Sequence, residues 1–529
     1  MGGCRVDGPD TPYVESPEEM AGRFQAELLT ALPRWKERLR AHPERLVEIE
    51  QEVHTAFARG ADLLIVGLIA LVMKMPEFTE GGERIRQKTA VPLGRGRERE
   101  IQVRLFGGLL MWITSLYCPP RKGGLRGVTE KVPGIYVELA QFGFGKGCTP
   151  GLQSRVARQA ALCPSLQFAQ QELERSGVKV DVKTVRRIAY QCGAGLLQLR
   201  TQELLLWREG KLPAGSELAG KRVSVQIDGG RARIRGKLRD AAAVPEATNA
   251  DGFVCEDGPG RSHQRPRTTF AADWREPKLL TIFVHDEQGR MEKKSQALVD
   301  GTLQGPDAVA ELVAMHLHRL GAAQAQSITF VADGGTWIWE RIGTIVKLAN
   351  LSGVPIYEVL DCCHATHHIS LALAALGLPD QQRIPLYRAH RTLLRNGQWR
   401  QVVDELSSLA EDAPADSSVW TEIGYLQKHG AAGRLMYPTF RSKGLPLGSG
   451  AIESNIRRVV NLRLKGNGIY WNEDNAEAML QIRAYVVTGR WDARLRELRQ
   501  FRSRDSRTAW RWTPQDMSSK VERSTSSSA

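Results

Sequence analysis

A chain of 529 residues with 42% hydrophobic and 25% charged residues has the ordinary composition of a soluble globular protein, so class must come from pattern. Its length suits about two to four domains and a sizeable core. Seventy-three Lys and Arg against 59 Asp and Glu leave a net charge of +14, which favours a polyanionic partner such as nucleic acid or an anionic membrane surface, or else marks a basic but otherwise unspecialised protein.

Taken in chain order, residues 1–20 carry acids and prolines where a signal peptide would need an apolar stretch, and are expected to be disordered. Residues 21 to about 75 read as helices with apolar positions three and four apart, interrupted by Pro33 and Pro43. The run Leu63–Met73, "LLIVGLIALVM", is shorter than the roughly 20 residues of a spanning helix, so a buried helix and no membrane are expected. "RLFGGLLMWITSLYCPP" fits a small strand-rich element and completes a region 21–149. The eight cysteines form no C-x-x-C pair, and Arg121 stands where a second thiolate would follow Cys118; no zinc and no disulfide framework are expected, and a reducing cytoplasm is.

Residues 150–215 return to helix. A helix, a turn at Gly177 and a second helix from Asp181 carrying Lys183, Arg186 and Arg187 make a helix-turn-helix-like, DNA-binding arrangement or an ordinary helical hairpin. Then "KRVSVQIDGG" alternates Val223, Val225 and Ile227 with polar residues, as a half-buried strand ending at Asp228 does. Two β segments around a turn at Asp286–Gly289 follow, then a helix from Asp307 to Leu320, a strand "SITFVADGG" ending at Asp333, a helix, and a strand "VPIYEVLD" leading into "CCHATHHI". Three β segments followed by helix, strand, helix and strand is the order of a ribonuclease H-like α/β architecture, with Asp228 and Asp333 at carboxyl ends of strands in one sheet.

Between Arg441 and Gly466 six Lys or Arg accompany one acid, Glu453, in the first turn of a helix opened by Gly-Ser-Gly. Singly, these acids read as strand-ending turns and as a helix-dipole partner with Arg457 four residues on. Together, Asp228, Asp333 and Glu453 could hold two divalent ions about 3.5 to 4 Å apart, the arrangement that activates an attacking oxygen and stabilises a leaving one in phosphodiester chemistry. Arg457, Arg458, Arg463 and Lys465 would then approach the DNA backbone.

"VQIDGG", "FVADGGTWIWERI", "VLDCCHATHHI" and "LGSGAIESNIRRVVNLRLKGNGIYWNEDNAEAMLQIRA" resemble the catalytic blocks of bacterial insertion-sequence DDE transposases of the ISKra type, with Mutator-like relatives, over about residues 220–490. The resemblance implies that Asp228, Asp333 and Glu453 are catalytic metal ligands for two Mg²⁺, with Mn²⁺ possible, and that Asp361 and His364 are active-site neighbours. It divides the core into 220–364 and 441–490, separated by a helical insertion at 365–440 that helps grip DNA. It further implies metal-dependent cleavage at terminal inverted repeats, strand transfer into target double-stranded DNA, a homo-oligomer on DNA, and a bacterial cytoplasmic, nucleoid-associated location. A ribonuclease H-like nuclease without strand transfer and a non-catalytic transposase-derived DNA-binding protein remain alternatives. "YW" at 470–471 could stack a base or pack against the core, and packing is expected. The end, 491–529, reads as a basic tail that becomes disordered, with eight arginines against three acids from Arg490 to Arg511 serving as a phosphate-binding arm or a solvated face.

Overall fold

The N-terminus starts on a strand because Cys4 and Val6 are apolar about Arg5. β1 (Cys4–Val6) therefore buries alternate residues, against the disorder expected of 1–20. The computed structural model describes residues 2–87, 93–94, 96–120, 134–145, 147–237, 270–466 and 468–504; Arg121 and the Gly- and Pro-rich stretch after Lys237 lie outside them. β2 (Glu98–Arg104) and β4 (Ile135–Tyr136), like β1, pair antiparallel with β3 (Leu110–Cys118).

Helix α1 (Pro17–Ala41) is capped by Ser16, whose hydroxyl accepts the Glu19 N–H at 3.2 Å, with Glu18 and Glu19 in the dipole-favoured first turn. It runs through Pro33, contrary to the expected interruption. The carbonyl that loses its donor belongs to Leu29, which is open to solvent, and α2 (Leu46–Met73) braces the helix through Trp35–Glu52 (2.9 Å) and Arg59–Glu27 (3.0 Å). Pro43 does end α1, in a 3-10 turn. Pro43–Met73 is long and apolar enough to cross a membrane by length and composition; the expected buried helix is buried on one face only, with Leu63, Val66, Ile69 and Ala70 in protein and Leu64, Ile65, Leu68 and Leu71 exposed.

After α3 (Pro76–Gln87) and α4 (Val137–Gln141), three helices pack as a unit: α5 (Pro150–Leu162), α6 (Leu166–Arg175) and α7 (Val182–Arg208). Thr149, Ser165 and Asp181 cap them, each side chain accepting the N–H three residues on. Gly177, at φ +86°, makes the turn between α6 and α7. Val185, Ile188 and Ala189 face the core, and Lys183, Arg186 and Arg187 lie on the exposed side.

The main sheet is α/β and mixed. β5 (Arg222–Gly229) gives way to a two-stranded ribbon, β6 (Ala232–Lys237) and β7 (Phe270–Arg275), then to β8 (Lys278–Val284), β9 (Leu298–Thr302), α8 (Pro306–Arg319), β10 (Ser327–Ala332), α9 (Thr336–Leu348) and β11 (Ile356–Leu360). Its order is β11-β10-β5-β8-β9, with β10 parallel to both β5 and β11 and with β8 antiparallel to β5 and β9. The alternation in β5 suggested a half-exposed strand, yet Ser224 and Gln226 are buried as fully as Val223 and Val225. The apolar positions share a core with Val313 and Ile342, whereas the polar side is covered by a later helix.

α10 (Cys362–Ala375), α11 (Asp380–Arg395), α12 (Trp399–Leu409), α13 (Ser418–Ala431) and α14 (Tyr437–Ser442) intervene before α15 (Gly450–Asn455). Val402, Leu406, Ile423 and Leu426 join the sheet's own apolar core, so these helices are fused to it. α15 continues into a π-helical segment, Ile456–Asn461, then α16 (Glu473–Val487) and α17 (Trp491–Arg504). α17 corrects the expected tail: Trp491 and Arg494 are buried, and Arg494 pairs with Glu203 of α7. Residues 505–529 lie outside the described residues.

Candidate active site

Parallel pairing aligns the acids. In β5 and β10, Gln226 is level with Val331, and in β10 and β11, Ala332 is level with Leu360. Carried one or two residues onward, that register places Asp228, Asp333 and Asp361 in one row across three adjacent strands, about 4.8 Å per step. Each ends its strand in a local hydrogen bond: Asp228 Oδ1 accepts Gly229 N (2.6 Å), Asp333 Oδ1 accepts Gly335 N (3.1 Å), and Asp361 Oδ1 caps α10 by accepting His364 N (2.8 Å). Gly334 must be glycine here, because a Cβ would sit 1.9 Å from the ring of Tyr425 on α13.

Glu453 reaches this row from α15. Gln226 donates to Gly448 O (3.1 Å) and accepts Ile452 N (3.0 Å), and Asn455 donates to Thr281 of β8 (3.1 Å), so the helix is bolted to the sheet at both ends. Ser449 Oγ lies 2.8 Å from Asp361 Oδ2 and 3.0 Å from Glu453 Oε1, and its N–H also donates to Asp361 Oδ2. His364 Nδ1 lies 3.4 Å from Asp361 and 3.9 Å from Glu453. Glu453 thus meets Ser449 and His364; its i,i+4 pairing with Arg457 is not among the contacts of the described residues.

The charges are uneven. Burial, then the Asp333 carboxylate beside it, push the Asp228 pKa up to about 7. Burial would raise Asp361 as well, but hydrogen bonds from His364 and Ser449 outweigh it and hold the group at about 2. Asp361 in turn raises the His364 pKa. Asp361 is held ionised by the hydrogen-bond donors around it, whereas Asp228 titrates near neutrality.

A divalent cation fits this donor set. Donor atoms of Asp361, His364 and Glu453 lie within 4.8 Å of one another, and His364 Nδ1 is buried without an aligned hydrogen-bond partner. Asp228 and Asp333 supply the carboxylates whose mutual repulsion a cation relieves.

The predicted basic residues divide. Arg457, Arg458 and Lys465 are exposed, Arg458 donating to Val487 O. Arg463 is not available to DNA: it is 4% exposed, donates to Ala160 O (3.2 Å) and lies 5.0 Å over the Trp471 ring. The π-helical segment turns it inward, against α5. Trp471 packs as expected, but Tyr470 stays exposed. Sequence reasoning passed over Gln226, Ser449 and Asn455. The available signals were a polar amide inside an apolar strand and a hydroxyl between two glycines, four residues before the lone acid.

Asp228→Asn is expected to stabilise the metal-free protein. Between about pH 4 and 7 the unfolded chain has released this proton while the folded chain keeps it, so stability falls as pH rises through that window. In EDTA the variant should melt higher than wild type at pH 8 and together with it at pH 4; coincident melting at pH 8 would remove the charge strain from Asp228.

Comparison of the chain with protein-family profiles, with curated proteins and with solved structures gives no match.

Proposed function

We propose that the chain is a DNA transposase with a ribonuclease H-like core, cutting at terminal inverted repeats and transferring the cut strand into target DNA. The observation that carries this reading is the row of Asp228, Asp333 and Asp361 on three neighbouring parallel strands, with Glu453 held against it by α15. The sheet order supports it: three antiparallel strands, then two more added in parallel on the far side of the first.

Asp228, Asp333 and Glu453 would hold Mg²⁺, or Mn²⁺, which supplies an activated attacking oxygen and charge neutralisation at the phosphate. Asp361 fixes Ser449 and the start of α10, and so orients Glu453 and His364. Asp361 raises the His364 pKa, and His364 Nδ1 lies 3.9 Å from Glu453. Lys183, Arg186 and Arg187 on α7 and Arg457, Arg458 and Lys465 after Glu453 offer cations to duplex phosphates.

Joining two ends in one event calls for more than one copy. α2 supports self-association: Phe57, Ala61, Leu64, Leu68 and Leu71 repeat at four and three residues and are all exposed, Phe57 by 54% and Leu68 by 48%. This uncharged heptad seam fits a helix, and a second copy presents one. Wild type should be dimeric or larger by light scattering on DNA ends, and Leu64→Glu with Leu68→Glu monomeric; a monomeric wild type overturns the seam.

The reading is tested with duplexes carrying the gene's flanking ends. Mg²⁺-dependent nicking followed by attachment of the new 3′-hydroxyl to a second duplex is the expected product. Nicking without joining would make the chain a nuclease.

A further inference from the structure

The ribbon that leaves β5 beyond Asp228 carries an exposed aromatic and basic surface. The segment after Gly468 pairs with β6: Trp471 N donates to Arg233 O (3.0 Å), and Arg235 N donates to Trp471 O (2.8 Å). Ile234 and Trp471 are buried where the two backbones meet. The flanking Arg233, Arg235 and Tyr470 therefore point the other way, by the two-residue period of extended chain. On β7, Trp274 is directly opposite Arg233 in the register. The Arg233 guanidinium lies 4.7 Å from the Trp274 ring centre and 5.7 Å from that of Tyr470, and Arg235 lies 5.5 Å from Tyr470. Both rings remain open, Trp274 by 51% and Tyr470 by 39%.

Beside this platform is a groove of about 480 Å³, with Arg235 and Tyr470 on one wall and Arg186 and Tyr190 of α7 on the other. We infer that the Arg233–Trp274–Tyr470 platform and its groove bind unpaired DNA. Arginines interleaved with open aromatic faces match a strand that offers phosphates and base faces together. A duplex hides its base faces in its own stack.

Position gives the platform its use. Arg233 is five residues beyond Asp228, so extended chain separates them by at most about 17 Å. A strand opened at the cut can be held there while its backbone stays in reach of the acids. The inference rests on the proposed function for the identity of its ligand as DNA.

The test uses fluorescence anisotropy of the full chain in EDTA with a labelled oligothymidylate and a duplex of equal length. Tyr470→Ala and Trp274→Ala should each weaken single-strand binding about tenfold, with duplex binding within about twofold of wild type. Tyr470→Phe, which keeps the ring, should bind as wild type and so controls for folding. Unchanged single-strand affinity in both alanine variants overturns the platform and leaves the proposed function standing. Tighter binding of an oligouridylate than of the oligothymidylate overturns DNA as the ligand. A wild type that binds neither form of DNA removes the platform and the proposed function together.

Discussion

Glu453→Gln is expected to lower Mg²⁺-dependent strand cleavage and joining by about 10³-fold while duplex affinity stays within about twofold, the scale on which loss of one preorganised charged group acts. The amide fills the same volume and still accepts the Ser449 hydroxyl, now 3.0 Å from Glu453 Oε1, so α15 keeps its seat on Gln226 and Asn455. What changes is charge. A cation held by the proposed set of Asp228, Asp333 and Glu453 would lose one anionic ligand, and His364 loses a neighbouring carboxylate. A second readout separates this from misfolding: Glu453 helps raise the Asp228 pKa, so the variant's Asp228 should titrate below about 7. Equal cleavage by both proteins would take Glu453 out of the site and the proposed core with it.

Asp300→Ala is expected to cost about 3–5 kcal/mol of stability, or roughly 10 °C in Tm. Asp300 on β9 is fully buried and accepts from Arg200 (3.1 Å), His316 (2.8 Å), its own neighbour Gly301 N (2.6 Å) and Gln481. Arg200 also meets Glu477 (2.8 Å), while Glu203 pairs with Arg494 and Arg319 (2.6 and 3.2 Å). This ionic network fastens α7, α16 and α17 to the sheet. Alanine leaves the buried Arg200 guanidinium short of its counter-charge, which costs more than the pair itself contributed. Denaturant melts check the magnitude, and pairing Asp300→Leu with Arg200→Met should recover most of the loss; a single-variant cost under about 1 kcal/mol would mean that water reaches the network. Acidification should weaken the same region. Burial holds the His316 pKa below its ordinary value, so below about pH 6.5 the unfolded chain takes up this proton first and stability falls.

Much of this was legible in the sequence. Two-residue alternation marked β5, three-and-four spacing marked the helices, and Asp228 and Asp333 stood where strand patterns gave way to Gly-Gly. The lone acid in a basic stretch singled out Glu453. These signals are local, carried by residues within one turn or one strand of each other. Tertiary structure alone decided the rest. It aligned Asp361 with Asp228 and Asp333, since register depends on which strands pair. It buried Arg463 against α5 and Arg494 against α7, where a basic pattern suggested surface, because burial follows a partner some 300 residues away. It drew Cys4–Val6 and Trp491–Arg504 into the fold, and it left Tyr470 open beside the buried Trp471. Periodicity specifies which face of an element is apolar; only the packed chain decides what that face meets.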